Sequence, residues 1–442
     1  DGMEALVQVT SREVNELQIH NGSTNPLNPM DGDSVSVLTK IKINMSNGSD
    51  LTLTVDNQET DEKYNLLNEL GTSYFPQAEQ VTASIGDDNT TRERFTLAYG
   101  FEASNGFFDS GEIRMFSQTT DQKQVTDKTK ALIAFGQFGP SFTPTLEHKD
   151  YGFNKDLEGF AVDLYKQFMI GSTTHDLVYG FESEEASFSR PKDRYETNLI
   201  TGEINRVFFG PEIFPNKAFP DSEVVREAFY FSDRITLTPK TTFVLGLRND
   251  NFEQKAIEDA LSAAGNPANH PVLPREDSET SLKFGVIQDL TDTVSLFTQF
   301  AQGYRNPDFT DAYNTYTNYA FGYTIIPNPD LKAEYSSGLE LGLRVIKDDV
   351  KWSLVFHRNS YDDFIDSNLF SSPPINGVLQ VRYQNLDSVK TKGIEFEIKR
   401  DITESLSSLA GLAINRSENL TNESMTPDQF KYGLSHTLSL IH

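Results

Sequence analysis

The chain of 442 residues carries 38 Lys and Arg against 65 Asp and Glu, for a formal net charge of −27, and contains no cysteine. The missing thiols exclude disulfides, thiolate metal sites and thiol catalysis, and the acidic balance argues against nucleic acid, which needs a basic footprint. No stretch approaches the roughly 18 consecutive apolar residues of a spanning helix, but a spanning β-strand needs only about ten residues with alternate ones polar.

The periodicity along the chain is two rather than 3.6. Sustained alternation predicts strands near 4–14, 35–46, 50–58, 62–72, 78–86, 92–104, 110–119, 156–169, 175–187, 223–236, 240–250, 279–289, 294–304, 335–346, 350–362, 379–399, 404–415 and 428–440. That makes an all-β antiparallel chain of about eighteen strands. In the clearest of them, Leu339, Leu341, Leu343 and Val345 share one face and Gly338, Glu340, Gly342 and Arg344 the other. Val350, Trp352, Leu354 and Phe356 likewise oppose Lys351, Ser353, Val355 and His357.

Alternation alone suits a soluble sandwich as well as a barrel, and connection lengths separate the two. Short turns at 171–174, 290–292 and 347–349 interleave with long excursions at 120–155, 188–222, 251–278, 305–334 and 363–378. Long loops confined to one end are the pattern of a transmembrane barrel with tight turns on the other side. Tyr165, Phe168, Tyr230, Phe300 and Tyr304, near strand ends, suit the aromatic girdles of such a barrel.

One excursion holds two tetrapeptides, Tyr304-Arg305-Asn306-Pro307 and Asn328-Pro329-Asp330-Leu331. They resemble the YRxP and NPDL boxes of TonB-dependent haem and haemoglobin receptors of the haemoglobin/transferrin/lactoferrin type. The likeness continues in order through Tyr179-Gly180-Phe181-Glu182, the segments 190–197 and 214–221, Leu245-Gly246-Leu247-Arg248, and Tyr383-Gln384-Asn385-Leu386, covering about 90–400. It implies a plugged barrel of 22 strands, with four C-terminal strands, the plug and the TonB-coupling segment lying outside this chain. Residues 1–14 are then the last plug strand or the first barrel strand, and 15–442 the barrel. The implied activity is energised import of haem, or haem taken from a host protein, across the outer membrane. The implied partners are outer-membrane lipid, the inner-membrane TonB complex and a haem protein. A ferric siderophore or other chelate is the alternative cargo, and a passive porin the alternative class.

No His-Glu-x-x-His, GxSxG, phosphate-loop or CxxC motif occurs, so an enzyme is not expected. The candidate ligand-binding residues lie in and around the boxes: Tyr304, Arg305, Tyr313, Tyr316, Tyr319, Phe321 and Tyr323. Aromatic faces stack on a planar macrocycle and a guanidinium forks onto a propionate. The same composition suits protein contact. Asn306, Pro307, Asn328, Pro329, Asp330 and Leu331 are expected to shape turns, with a mainly structural role. Related haem receptors commonly place a histidine between the boxes, and 305–327 contain none. A tyrosinate, notably Tyr323, or His270 in the 251–278 excursion is then the candidate iron ligand, with His148 in the 120–155 excursion ranking below it. Haem would be transported cargo rather than a covalent cofactor, and no resident metal is expected.

Overall fold

The computed structural model describes residues 2–16, 27–75, 77–103, 106–208, 212–267, 269–318, 322–366, 370–375, 378–403, 406–420 and 433–441. Its long strands are β1 (Gly2–Asn15), β2 (Met30–Asn44), β3 (Asp50–Asn65), β4 (Glu79–Glu102), β5 (Ser110–Gly136), β6 (Gly139–Ile170), β7 (Thr173–Ser189) and β8 (Asp221–Thr238). They continue with β9 (Thr241–Ile257), β10 (Arg275–Asp289), β11 (Val294–Arg305), β12 (Glu334–Lys347), β13 (Val350–Asp366), β14 (Gln384–Thr403), β15 (Leu406–Asn419) and β16 (Gly433–Ile441). Each pairs antiparallel with its successor, a pure up-and-down meander. Four short strands complete a 20-stranded sheet, and a separate 4-stranded sheet joins Tyr316–Asn318, Tyr323–Ile325, Phe370–Ile375 and Val378–Val381 at the long-loop end.

Strict alternation turns each register into rows of like side chains. Leu245, Phe284, Phe300 and Leu339 are successive cross-strand neighbours from β9 to β12, and all four are exposed. Gln299, Glu340, His357 and Gly393 make a row of the opposite face. A continuous exposed apolar band backed by a polar face is what lipid on one side and a wet lumen on the other select.

Three expected boundaries differ. The segment 50–58 runs on into 62–72 as β3 up to Asn65, where a helical turn at Leu67–Glu69 follows, and 78–86 with 92–104 form β4, whose residues 86–91 stay in register on both neighbours. The 120–155 excursion is no loop: β5 and β6 remain paired from Ser110↔Tyr165 up to Gly136↔Gly139. The reason is the sequence Thr-Thr-Asp-Gln-Lys-Gln-Val-Thr-Asp-Lys-Thr at 119–129, polar at nearly every position. Where both faces of a ribbon meet water, no apolar alternation marks the strand. The third is 379–399: Val378–Val381 belongs to the small sheet, parallel to Tyr323–Ile325, and β14 begins at Gln384.

Close approach across the polar face uses glycine. The Tyr230 ring passes over Gly180, where a Cβ would collide with the phenol, and its hydroxyl donates to the Asp163 carboxylate. Gly180→Val is expected to destabilise the barrel by about 1–3 kcal/mol. The check is a lower urea midpoint for loss of the compact band on unboiled gels. Tyr230→Phe, which keeps the ring and loses one hydrogen bond, should cost less.

Candidate functional site

The first box terminates β11 and folds back immediately. Arg305 faces Glu334 across the β11–β12 ladder and pairs with it at 3.1 Å, while its other amino group lies 3.5 Å from Asp311. Tyr304 and its cross-strand partner Tyr335 stack at 6.3 Å, and the Asn306 amide donates to the Tyr304 hydroxyl at 2.8 Å. Pro307, fully buried and without an N–H to offer a ladder, ends the strand. Asp308 then caps a helical turn, Phe309–Tyr313, by accepting the Asp311 N–H at 2.8 Å.

That turn aims Phe309, Ala312 and Tyr313 into a buried cluster with Ala218 and Phe219 from the 190–220 connection. The Phe309 ring lies 4.2 Å from Phe188 and 4.8 Å from Phe219. Tyr313 is 2% exposed and its hydroxyl donates to the Leu273 carbonyl at 2.8 Å. Burial pushes its phenol up to about 12, so it is a neutral, enclosed phenol that bolts three connections together.

The second box closes the clasp. The Asn328 amide donates to the Tyr383 carbonyl at 2.7 Å, its side-chain oxygen accepts from the Asp330 N–H at 3.2 Å, and its backbone N–H reaches the Ala312 carbonyl at 3.3 Å. The second box is therefore tied to the helical turn that follows the first. Leu331 is buried, Pro329 half-buried and Asp330 exposed. Asn385 continues the tie, accepting from the Lys332 N–H at 2.9 Å and donating to the Asp363 carbonyl at 2.7 Å.

Tyr316 and Tyr323 face each other on the small sheet with ring centroids 6.1 Å apart, and the Lys192 ammonium is 5.9 Å from the Tyr316 ring. Tyr323 is half-buried. Tyr319 and Phe321 lie outside the described residues. His270 is half-buried, its backbone bracketed by the Asn266 side chain at 3.0 and 2.8 Å. Burial lowers its pKa, so the imidazole is neutral at neutral pH, the form that can bind iron. His148 sits on β6 rather than in a loop, 2.7 Å from Asp127 and packed on Tyr195.

Sequence reasoning missed a cavity of about 680 Å³ lined by Arg226, Arg248, Arg305, Tyr230, Tyr304 and Asn306. It forms where the β10–β11 ladder stops at Lys283↔Ala301 while β10 continues on β9 and β11 on β12. Gln302 reaches across the opening to accept the Leu282 N–H at 3.3 Å. Which ladder ends early is a long-range property that no local pattern carries. Among the described residues no group of three or more His, Asp or Glu could hold a metal ion.

Arg305 is shared by two carboxylates, and the pair is uneven. Burial, then the neighbouring Asp308, pushes Asp311 up to about 6 despite Arg305. A carboxyl raised above its unfolded value is favoured protonated in the fold, so its contribution to stability improves as pH falls from about 6 towards 4 and is lost as pH rises through 6. Asp311→Asn is therefore expected to make the 305–316 amides exchange hydrogen more slowly at pH 7.5, by about three- to tenfold. At pH 5 the variant and the parent should converge. Faster exchange in the variant at pH 7.5 would show that the Arg305 pair outweighs the burial cost.

A family profile described as TonB dependent receptor-like, beta-barrel, matches residues 39–437. Haemoglobin and haemoglobin-haptoglobin-binding protein B of Haemophilus influenzae is 32% identical over 136 residues, 30% of this chain and 13% of that protein. Hemoglobin-haptoglobin utilization protein B of Neisseria meningitidis serogroup A is 21% identical over 394 residues, 83% of this chain and 47% of that protein. The chain thus spans less than half the length of these relatives. Among solved structures, the Serratia marcescens hemophore receptor HasR, in complex with its hemophore HasA and heme, aligns over 94% of this chain and 59% of its own, with TM-score 0.66 and 13% identity. The FrpB iron transporter of Neisseria meningitidis aligns over 100% of this chain and 63% of its own, with TM-score 0.64 and 15% identity. The ordered boxes, the up-and-down meander and a profile match across most of the sequence agree: the chain belongs to the TonB-dependent receptor β-barrel family.

Proposed function

We propose that this chain forms barrel strands of an outer-membrane receptor that takes haem from a haem-carrying host protein and imports it with energy supplied through TonB. The observation that carries this reading is the clasp. Asn328 of the second box bonds Ala312 in the helical turn after the first, and these contacts draw the 190–220, 258–274, 306–333 and 367–383 connections to one end of the barrel. Relatives matched along the sequence are named for haemoglobin and haemoglobin-haptoglobin binding and for haemoglobin-haptoglobin utilization. Residues 1–14 belong to the barrel in this reading, since β1 pairs with β2 along its whole length.

Roles within the clasp divide by side-chain chemistry. Tyr304, Asn306, Pro307, Tyr313, Asn328, Pro329, Asp330 and Leu331 hold the loop's shape. Tyr316, Tyr319, Phe321 and Tyr323 offer rings to a porphyrin, and Arg305 with Arg226 and Arg248 at the wall cavity offers guanidinium groups to its propionates. His270, neutral by burial, is the preferred iron ligand and Tyr323 the second. One observation favours the other cargo class: no histidine occurs in 305–327, so a ferric chelate needing no axial ligand would also be served.

The test is a haemin titration of the full-length receptor in detergent, followed at the Soret band. A saturable shift is expected, weakened at least tenfold, about 1.4 kcal/mol, by His270→Ala or by Tyr323→Phe. No shift with haemin and no binding of haemoglobin would overturn the haem assignment in favour of a chelate.

A further inference from the structure

Beyond the clasp, the β5–β6 hairpin ends in a surface of different chemistry. Charged residues make up 23% of the chain, yet 70–78, 131–145 and 198–202 contain none. The fold brings these three separate segments together. The Tyr74 ring is 6.4 Å from Phe135, the Ile133 N–H donates to the Ala78 carbonyl at 2.8 Å, and the Leu199 N–H to the Pro144 carbonyl at 3.0 Å. The resulting crown exposes Tyr74, Phe75, Phe135, Phe138, Phe142 and Ile200, from 54% at Phe142 to 101% at Phe138.

Its feet are fastened by one ammonium. Glu79 follows the first neutral segment, Lys130 precedes the second, Glu147 follows it, and Glu196 precedes the third. Lys130 Nζ lies 2.8 Å from Glu79, 2.8 Å from Glu147 and 2.5 Å from Glu196, and Arg194 meets the far oxygen of Glu147 at 2.8 Å. Lys130, Glu147 and Glu196 are all buried. A cluster of this kind fixes geometry more than it adds stability, and here it fixes three neutral segments side by side.

Lipid does not explain the crown. β5 has 27 residues, and at about 3.3 Å per residue the roughly ten that span a bilayer leave on the order of 50 Å of strand beyond it. Six large side chains of roughly 150–250 Å² each, mostly exposed, present on the order of 800 Å², one partner's share of a standard protein interface. On a chain of net charge −27, a neutral aromatic tip is also where a partner of any charge can approach with least repulsion.

We propose that the crown is the docking surface for the haem-carrying protein, engaging a weakly charged apolar face of it and holding it above the clasp. This rests on the function proposed above. Full-length receptor in nanodiscs is tested with immobilised haemoglobin and, separately, with haemin. Phe135→Ser with Phe138→Ser, at the hairpin tip and away from the Lys130 cluster, is expected to weaken haemoglobin binding at least thirtyfold and to change haemin affinity less than twofold. Haemoglobin binding unchanged in this variant, with the parent binding both ligands, overturns the docking surface and leaves the function standing. A parent that binds neither ligand overturns both. A parent that self-associates in nanodisc-free detergent, with the variant monomeric and haemoglobin binding unaltered, assigns the crown instead to a second copy of this chain.

Discussion

Every backbone amide and carbonyl of a chain in hydrocarbon must find its partner within the protein. In this chain that demand is met by pairing each strand with the next in sequence, register after register, from β1 to β16. The rest follows from it. Consecutive antiparallel pairing sends the odd-to-even connections to one end, where all but the two-residue β5–β6 turn are long, and the even-to-odd connections to the other, where they are short. The long connections have room to fold on one another only because the ladder delivers them side by side. Arg305 meets Glu334 because β11 and β12 are neighbours, and that contact starts the clasp. The wall cavity marks the place where the ladder relaxes, above Lys283↔Ala301, beyond the part that lipid must cover.

The same demand explains what could be read from the sequence. Leu339, Leu341 and Leu343 alternate with Gly338, Glu340 and Gly342, the apolar-out, polar-in pattern of a membrane barrel, so the strand announces itself. Residues 119–129 and 86–91 form equally regular ladders but meet water on both faces, and their composition resembles that of a loop. Box residues were recognisable as a motif, and Pro307, Asn328 and Leu331 are buried. The enclosure of Tyr313 was not legible. A five-residue helix is too short to show a period, and the groups around Tyr313, at Phe219 and Leu273, lie 94 and 40 residues away in a chain whose local pattern says nothing of them. His148 was hidden for the same reason as its strand.

Burial of charge does different work at the two heights of the molecule. In the hairpin a neutral core is not available: three narrow strands with wet faces bury little apolar area, and the Lys130 cluster supplies the specific contact instead. One ammonium facing three carboxylates is satisfied only if Glu79, Glu147 and Glu196 all arrive, which makes it a register pin as well as a contact. Removing the ammonium would leave buried carboxylates without compensation, a loss of about 3–5 kcal/mol. Replacing the whole cluster with apolar side chains would spare that cost but would no longer specify which segments meet.

The two sites also answer pH differently. Burial alone would raise the Glu147 carboxyl, but Lys149, Arg194 and Lys130 outweigh it and hold it at about 2. A carboxyl lowered below its unfolded value contributes stability that is present above about 4.5 and lost only as pH falls towards 2. The support of the crown is therefore constant across the range in which Asp311 changes state near 6. At the clasp, protonation of Asp311 relieves a buried charge and leaves Arg305 to Glu334 alone. Crown and clasp thus rest on separate charge clusters, so acidification through pH 6 alters the 305–316 loop while the tip, on the order of 50 Å of strand away at 3.3 Å per residue, keeps its shape. Under the function proposed above, a receptor built this way holds its partner while the site beneath it rearranges.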